Sequence, residues 1–346
     1  MAKIKVTKNN SGEVEIEGEL AAETVRGYAA AALAEIQKDF ELAGFRRGHV
    51  PVETVEAHVG PMRLWEDGAD AALNDALRDL AAEHKLHILS RPLANILKLA
   101  PGNPVEFKIR AAILPEIKLP GYRKIARSVF GEAPVAAASD EDVEKTLEEL
   151  GGAYAPPSED GEAALKLEFT DESVKKLGDF KNLADFKTKI KANLQAEKEA
   201  AAREGNRERL ADKLLAASAI PVSEILVNEE LAHLENRRGE ELARLGTSLE
   251  DYLRQTGKTL EEVRREERAY VERQFKTKFI LQAIAEAEKI EATAQEIEFE
   301  ATLLARRNPE ADPEHLRTYV AEFIRHEKVW RLLEAAEKSS EPQAGA

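Results

Sequence analysis

The order of apolar and polar residues divides the chain into a mixed first part and a helical second part. Apolar residues alternate with polar ones over 3–8, 13–19 and 105–113, which is the spacing of half-buried strands. Over 22–42 and 61–85 they recur every three or four positions, which is the spacing of amphipathic helices. These patterns predict an α+β N-terminal domain with a small antiparallel sheet.

After residue 171 every apolar repeat has the helical period, and residues that start helices are frequent. Thr259 and Thr293 each precede a glutamate by three positions, as in a capping box, and Asp312 followed by Pro313 suits a first turn. Alanine is abundant and aromatic residues make up 5% of the chain, so each helix buries little apolar area. These features predict an elongated all-α C-terminal domain with helical arms.

The distribution of charge marks a boundary between the two parts. Residues 131–170 contain 2 basic and 11 acidic side chains, whereas the residues before them are neutral overall and the whole chain has a net charge of −15. This stretch also contains Gly-Gly and Pro-Pro pairs, which favour turns. We predict an α+β domain (1–130), an acidic linker with a short helix from Asp140 (131–170), an all-α domain (171–340) and a disordered tail (341–346).

Composition and spacing exclude several kinds of site. The chain has no cysteine, and therefore no disulfide or thiolate metal site. His84 and His87 have helical spacing but lack a third ligand, so we predict no metal and no cofactor. Gly257-Lys258-Thr259 looks like the end of a phosphate-binding loop, but Tyr252 stands where that motif needs glycine. No residue pattern indicates catalysis, and no apolar run predicts a membrane partner.

One loop after the helix predicted at 22–42 combines residues that suit docking. Its residues of interest are Gly44, Phe45, Arg46, Arg47, Gly48, His49 and Pro51. The glycines permit a tight exposed loop, the phenylalanine offers an apolar anchor, and arginine forks suit carboxylate and phosphate groups. A helix–loop–helix connection with incidental charges explains the composition equally well. The residues alone leave both interpretations open.

The loop and its surroundings resemble a known family. The run Gly44–Pro51, followed by Val55 and Gly60, is similar to the signature loop of the bacterial trigger factors, a family of ribosome-associated chaperones. Residues 1–130 look like the ribosome-binding domain of that family. Two later stretches resemble the start of its substrate-binding domain, Asp171–Phe186 and Ala219–Leu231.

The resemblance implies an ATP-independent cytoplasmic chaperone that docks at the ribosomal exit tunnel and holds nascent or unfolded polypeptides. The seven loop residues would engage a ribosomal protein and the adjacent ribosomal RNA, and away from the ribosome the family can form homodimers. Arg47 and His49 stand where lysines are common in the family. Arg47 keeps the charge, whereas His49 is mostly neutral near pH 7, so one contact is expected to be weaker.

The sequence also departs from the family. Most members carry an FKBP-type prolyl isomerase domain between the two parts, but here only about residues 156–164 separate the linker helix from the helical domain. That segment is too short for such a fold, so we predict a chaperone that is not an enzyme. Two alternatives stay open, namely prolyl isomerase activity from another surface and a helical scaffold that oligomerises.

Overall fold

The computed structural model of the chain describes residues 4–131, 137–153 and 169–336. The elements in chain order are β1 (Lys5–Lys8), β2 (Glu13–Leu20), α1 (Ala22–Asp39), α2 (Val52–Val59), α3 (Pro61–Glu83), β3 (Leu93–Lys98), β4 (Val105–Ala112), α4 (Tyr122–Phe130), α5 (Asp140–Ala153), α6 (Asp171–Leu177), α7 (Leu183–Ala216), α8 (Glu224–Arg244), α9 (Leu249–Thr256), α10 (Leu260–Ala287), α11 (Ala294–Arg307) and α12 (Pro313–Ala335). The predicted fold class is confirmed, because strands and helices mix in the first part and helices alone follow β4 in the described residues.

The four strands form one antiparallel sheet in the order β1-β2-β4-β3. β2 and β4 pair along their whole length, with Ile16 opposite Ile109. The predicted alternation is confirmed, since these two residues, Val14 and Phe107 are all buried. β3 goes unpredicted because Ile96 alone among its six residues is partly buried, so the edge strand shows no alternation of buried and exposed side chains.

The main core of the first part lies between the sheet and helices α1 and α3. These two helices approach each other closely at Gly68, where an added Cβ would lie 2.7 Å from Ala29 N and 2.8 Å from Val25 O. Near the same face, Tyr28 Oη donates a hydrogen bond to Asp75 Oδ2 at 2.8 Å. The close contact between the helices therefore requires a residue without a side chain at position 68.

Two helix ends differ from the prediction. The first helix ends at Asp39, three residues before the predicted Leu42, because Phe40 adopts an extended conformation and turns the chain back towards α2. The linker helix continues through Gly151-Gly152 to Ala153, although glycine pairs favour turns. Gly151 is buried within the helix, so packing at that position outweighs the local preference, which is worth about 1 kcal/mol per glycine.

By packing, the described residues fall into two compact units. One contains those of Met1–Lys118 and Ala219–Ala283, and the other those of Leu119–Ser218 and Ile284–Ala346. The boundaries predicted at residues 130, 170 and 340 stay predictions, because each packing unit combines separate stretches of chain. Parts of the predicted linker (132–136 and 154–168) and all of the predicted tail (341–346) lie outside the described residues.

In the first unit, a buried polar contact fastens the start of α8 to the sheet. Ser223 Oγ donates to Glu13 Oε1 at 2.8 Å, and Arg110 Nη2 donates to the other carboxylate oxygen at 2.8 Å. Burial by itself raises the pKa of the Glu13 carboxyl, but these hydrogen bonds outweigh that effect and hold the pKa below its ordinary value. The buried carboxylate is thus paired on both oxygens.

In the second unit, α5, α6 and α7 share an apolar cluster, and ion pairs support it. The buried members are Val143, Leu147, Val174, Phe186 and Ile190. Lys191 and Lys198 of α7 contact Asp140 and Asp142 of α5 at 2.6 and 2.7 Å. The acidic helix predicted in the linker therefore packs on a basic stripe of α7.

Replacing Gly68 with alanine should destabilise the first unit by about 1–3 kcal/mol, because the added methyl group meets the backbone of α1. Gly27, on α1, offers a matched control, since open space surrounds a Cβ at that position. Gly27→Ala should leave stability unchanged or raise it by up to about 1 kcal/mol. Urea unfolding measures both, and equal effects of the two variants would contradict the close helix contact.

Candidate functional site

The predicted docking loop connects α1 to α2 and is anchored at both ends by an apolar cluster. Val50 and Val55 are fully buried and pack with Leu33 and Leu64. Gln37 Nε2 donates a hydrogen bond to Val50 O at 2.8 Å, which ties the second half of the loop to α1. The loop therefore leaves and re-enters the fold at fixed points.

Backbone hydrogen bonds tighten the loop between these anchors. Phe45 N–H donates to Leu42 O at 3.0 Å, His49 N–H donates to Arg46 O at 2.9 Å, and Gly48 N–H donates to Phe40 O at 3.2 Å. Gly48 has φ +76°, and a Cβ there would lie 2.6 Å from the carbonyl oxygen of Lys38. Both the conformation and the space at position 48 require glycine, and Gly44 also has a positive φ of +94°.

The tip of the loop presents one aromatic ring and one unpaired guanidinium group. Phe45 is 47% exposed. Arg46 is exposed and has no ion pair within the described residues. Arg47 instead contacts Asp39 Oδ1 through Nη2 at 2.8 Å and Glu41 Oε1 through Nε at 3.7 Å. An exposed ring beside a free guanidinium group can bind an apolar pocket next to an anionic group.

The remaining predicted site residues lie at the sides of the loop. His49 is exposed, and its Nδ1 is 3.2 Å from Arg47 O. Pro51 occupies the N-cap position of α2, and its carbonyl oxygen accepts from the N–H groups of Thr54 and Val55. The structure thus gathers all seven predicted residues in one loop, and it exposes Phe45 and Arg46 most freely.

A second exposed apolar surface lies on α11 and α12, and none of its residues is among the predicted site residues. Phe299 is 64% exposed, Tyr319 61% and Phe323 52%. Beside them is a groove of about 250 Å³ lined by Glu300, Leu303, Leu304, Arg307, Tyr319, Val320 and Phe323. A signal for it exists in the sequence, since Tyr319 and Phe323 repeat at i and i+4 beside the buried stripe that includes Val320.

Helix caps and ion pairs position this groove. The predicted capping box at Thr293 is confirmed, with Thr293 N–H donating to Glu296 Oε2 at 2.8 Å and Glu296 N–H donating to Thr293 Oγ1 at 3.3 Å. Lys328 Nζ of α12 donates to the same carboxylate at 2.6 Å. The Lys328 ammonium, together with the hydrogen bonds from Thr293, lowers the pKa of the Glu296 carboxyl to about 2.

Groups that could hold a metal ion and helices that could cross a membrane are both absent from the described part of the chain. Within it, no three His, Asp or Glu side chains come together as a group that could hold a metal ion. None of its helices combines the length and the apolar character needed to cross a membrane. Gly257, from the stretch that looks like a phosphate-binding loop, ends α9 in the left-handed conformation, and Thr259 caps α10 through Glu262.

Two family models match this chain over most of its length. The model described as bacterial trigger factor protein matches residues 2–150, and the model of the bacterial trigger factor C-terminus matches residues 182–333. The chain belongs to the bacterial trigger factor family. Within it, the docking loop lies in the range of the first model and the α11–α12 groove in that of the second, while residues 151–181 separate the two ranges.

Individual trigger factors differ in how much of the chain they match. The trigger factor of Rickettsia bellii is 31% identical over 134 residues, which are 39% of this chain, and the chain spans 29% of the length of that relative. The trigger factor of Moorella thermoacetica is 24% identical over 386 residues, covering 88% of this chain and 86% of the relative. These likenesses support the family assignment along both parts of the chain.

A solved structure shares the fold. It comes from work on promiscuous substrate recognition in the folding and assembly activities of the trigger factor chaperone. It covers 96% of this chain and 99% of its own, with a TM-score of 0.54 and 17% sequence identity. Trigger factor architecture therefore extends over both matched ranges of this chain.

Replacing Glu296 with glutamine should destabilise the α11–α12 pair in a pH-dependent way. The pKa of this carboxyl is about 2 in the folded chain against an ordinary 4.5, so its contribution is complete above about pH 5 and is lost as the pH falls towards 2. The difference in free energy of unfolding between wild type and Glu296→Gln should therefore stay constant from about pH 7 to pH 5 and shrink as the pH falls further towards 3.

Urea unfolding followed by the fluorescence of Trp330 on α12, in a Trp65→Phe background, measures this difference. Glu300→Gln is the matched control, because Glu300 lies on the same helix and has no ion pair in the described range 169–336. The control should change stability equally at all pH values. A constant difference for Glu296→Gln would contradict the assignment.

Proposed function

We propose that this chain is a chaperone that docks on the ribosome through the tip of the α1–α2 loop and holds nascent or unfolded polypeptides without ATP. The observation that carries the proposal is the tip itself, an exposed Phe45 and a free Arg46 on a loop whose ends are buried. Membership of the trigger factor family supports this use of the loop. A cytoplasmic location and homodimer formation away from the ribosome belong to the same proposal.

The docking partner must supply an apolar pocket and an anionic group. Phe45 is large enough to fill such a pocket, and buried aromatic anchors and arginines are the residues that most often dominate protein interfaces. A ribosomal protein and the adjacent ribosomal RNA at the exit tunnel offer both kinds of group. Because the loop is already ordered, docking costs little conformational entropy.

The surface proposed to hold polypeptides is the groove between α11 and α12. Its aromatic residues are exposed, but they stand among charged side chains such as Glu300 and Arg307, so the apolar area stays small. A small apolar groove binds unfolded segments weakly and releases them quickly, which removes the need for ATP-driven release. The structure around Gly257 also supports ATP independence, because that segment caps two helices.

We further propose that the chain lacks prolyl isomerase activity. The 31 residues 151–181 between the two matched ranges already include the end of α5 and helix α6. What is left is too short for an additional domain, which typically needs at least about 50 residues. The protein would then act by holding polypeptides and not by catalysing isomerisation.

Changing Phe45, Arg46 and Arg47 together to alanine should abolish co-sedimentation with bacterial ribosomes, because both the apolar anchor and the free charge are lost. Binding of the wild type should weaken as salt rises, since contacts of exposed charges are screened. A matched control removes one exposed leucine and two exposed arginines elsewhere in the same unit, by Leu97→Ala with Arg63→Ala and Arg78→Ala. The control should still sediment with ribosomes, and retained binding of the loop variant would overturn the docking proposal.

Changing Tyr319 and Phe323 to serine should raise the concentration of this protein needed to suppress aggregation of a denatured client at least about tenfold, because each ring lines the groove and contributes about 1.5 kcal/mol or more when a client covers it. Ribosome binding should be unchanged. Leu93→Ser with Leu97→Ser is the control, since it removes exposed apolar side chains from β3. Equal loss in the control would contradict a holding role specific to the groove.

A further inference from the structure

We infer that Asp39 and Glu41 hold Arg47 at the base of the docking loop as a positioning residue and thereby leave Arg46 as the guanidinium group that meets the ribosome. The inference rests on the proposed docking function and assigns unequal roles to two adjacent arginines. It also gives two acidic residues outside the predicted site a part in setting the strength of docking.

Two ion pairs support the assigned position of Arg47 at the base of the loop. Its Nη2 lies 2.8 Å from Asp39 Oδ1, and its Nε lies 3.7 Å from Glu41 Oε1. Asp39 is the last residue of α1, so the side chain bridges the far side of the loop to the end of the helix that precedes it. The hydrogen bond from Gly48 N–H to Phe40 O closes the loop across the same two segments of chain. The side-chain bridge and the backbone bond together fix the base of the loop.

Arg46, the neighbouring arginine, lies at the tip of the loop and not at its base. Its side chain is exposed and has no ion pair among residues 4–131, 137–153 and 169–336, which the structure describes. Its carbonyl oxygen accepts from His49 N–H at 2.9 Å, so the backbone that carries it is held in place. Next to it stands the half-exposed ring of Phe45. The free guanidinium group and the apolar anchor are thus neighbours at the tip.

The two arginines should contribute unequally to the free energy of docking. When Arg46 meets an anionic group it forms a new ion pair, whereas Arg47 would first have to give up its existing pair. An exposed ion pair is worth at most about fivefold in an equilibrium constant, so breaking it offsets part of the gain from a new contact. Asp39 and Glu41 are themselves largely exposed and would repel an anionic partner. Both effects make the loop bind an anionic partner more weakly than two unpaired arginines would.

The test measures the affinity of the fluorescently labelled full chain for bacterial ribosomes over a series of salt concentrations. Arg46→Gln should weaken binding about tenfold or more and reduce its salt dependence, because a contact of opposite charges is lost. Arg47→Gln should weaken binding less than about fivefold and leave the salt dependence unchanged. Arg47→Lys should restore wild-type affinity if the residue acts through its pair with Asp39.

A double-mutant cycle tests the role of the acids. Asp39→Asn with Glu41→Gln should strengthen binding and steepen its salt dependence, and the gain should be severalfold larger with Arg47 present than in the Arg47→Gln background. Equal losses for Arg46→Gln and Arg47→Gln, or equal gains from the acid substitutions in both backgrounds, would overturn the inference. A wild-type chain that does not bind ribosomes would instead overturn the proposed docking function, and the inference with it.

Discussion

The docking loop depends on the burial of two valines. Val50 and Val55 are inaccessible to solvent and pack against α1 and α3, and each contributes about 1.5–2 kcal/mol that would be lost if the loop moved away. With its second half held in this way, the loop can expose an aromatic ring at its tip without becoming disordered. The entropy that a flexible loop would lose on meeting a partner has already been lost during folding. The same cluster includes residues of α1, α2 and α3, so the position of the tip follows from the packing of those helices.

The loop tip and the α11–α12 groove share one physical arrangement, although they belong to different compact units. In each, exposed aromatic side chains stand beside charged residues that are paired with one another, Arg47 with Asp39 in the loop and Arg317 with Glu298 near the groove. Exposed ion pairs of this kind add little to stability. The charged residues around the aromatic rings keep each exposed apolar patch small, which lowers its tendency to drive aggregation.

Much of the fold follows from short-range patterns. The strands β2 and β4 and the helices α1 and α3 have strong periodicity, and the caps at Thr259 and Thr293 are formed as their sequences predict. The predicted docking loop is also local in sequence, so its residues can be picked out together, although composition alone does not decide whether they dock. The groove is different, because four of its lining residues come from α11 and three from α12. Extra apolar residues on one helix do not reveal whether another helix covers them.

The sequence by itself indicated the fold class, the helix starts at Thr259, Thr293 and Asp312, and the family resemblance, and it predicted the seven residues of the loop. Periodicity and capping depend on residues a few positions apart, so they can be recognised without knowledge of the fold. Tertiary structure alone decided three things: that Arg47 is paired while Arg46 is free, that the aromatic rings of α11 and α12 stay exposed, and that residues 219–283 pack with the first part of the chain. The contact between Glu13 and Ser223 joins residues 210 positions apart. Such contacts depend on the free energy of the whole folded chain. Local sequence patterns therefore do not predict them.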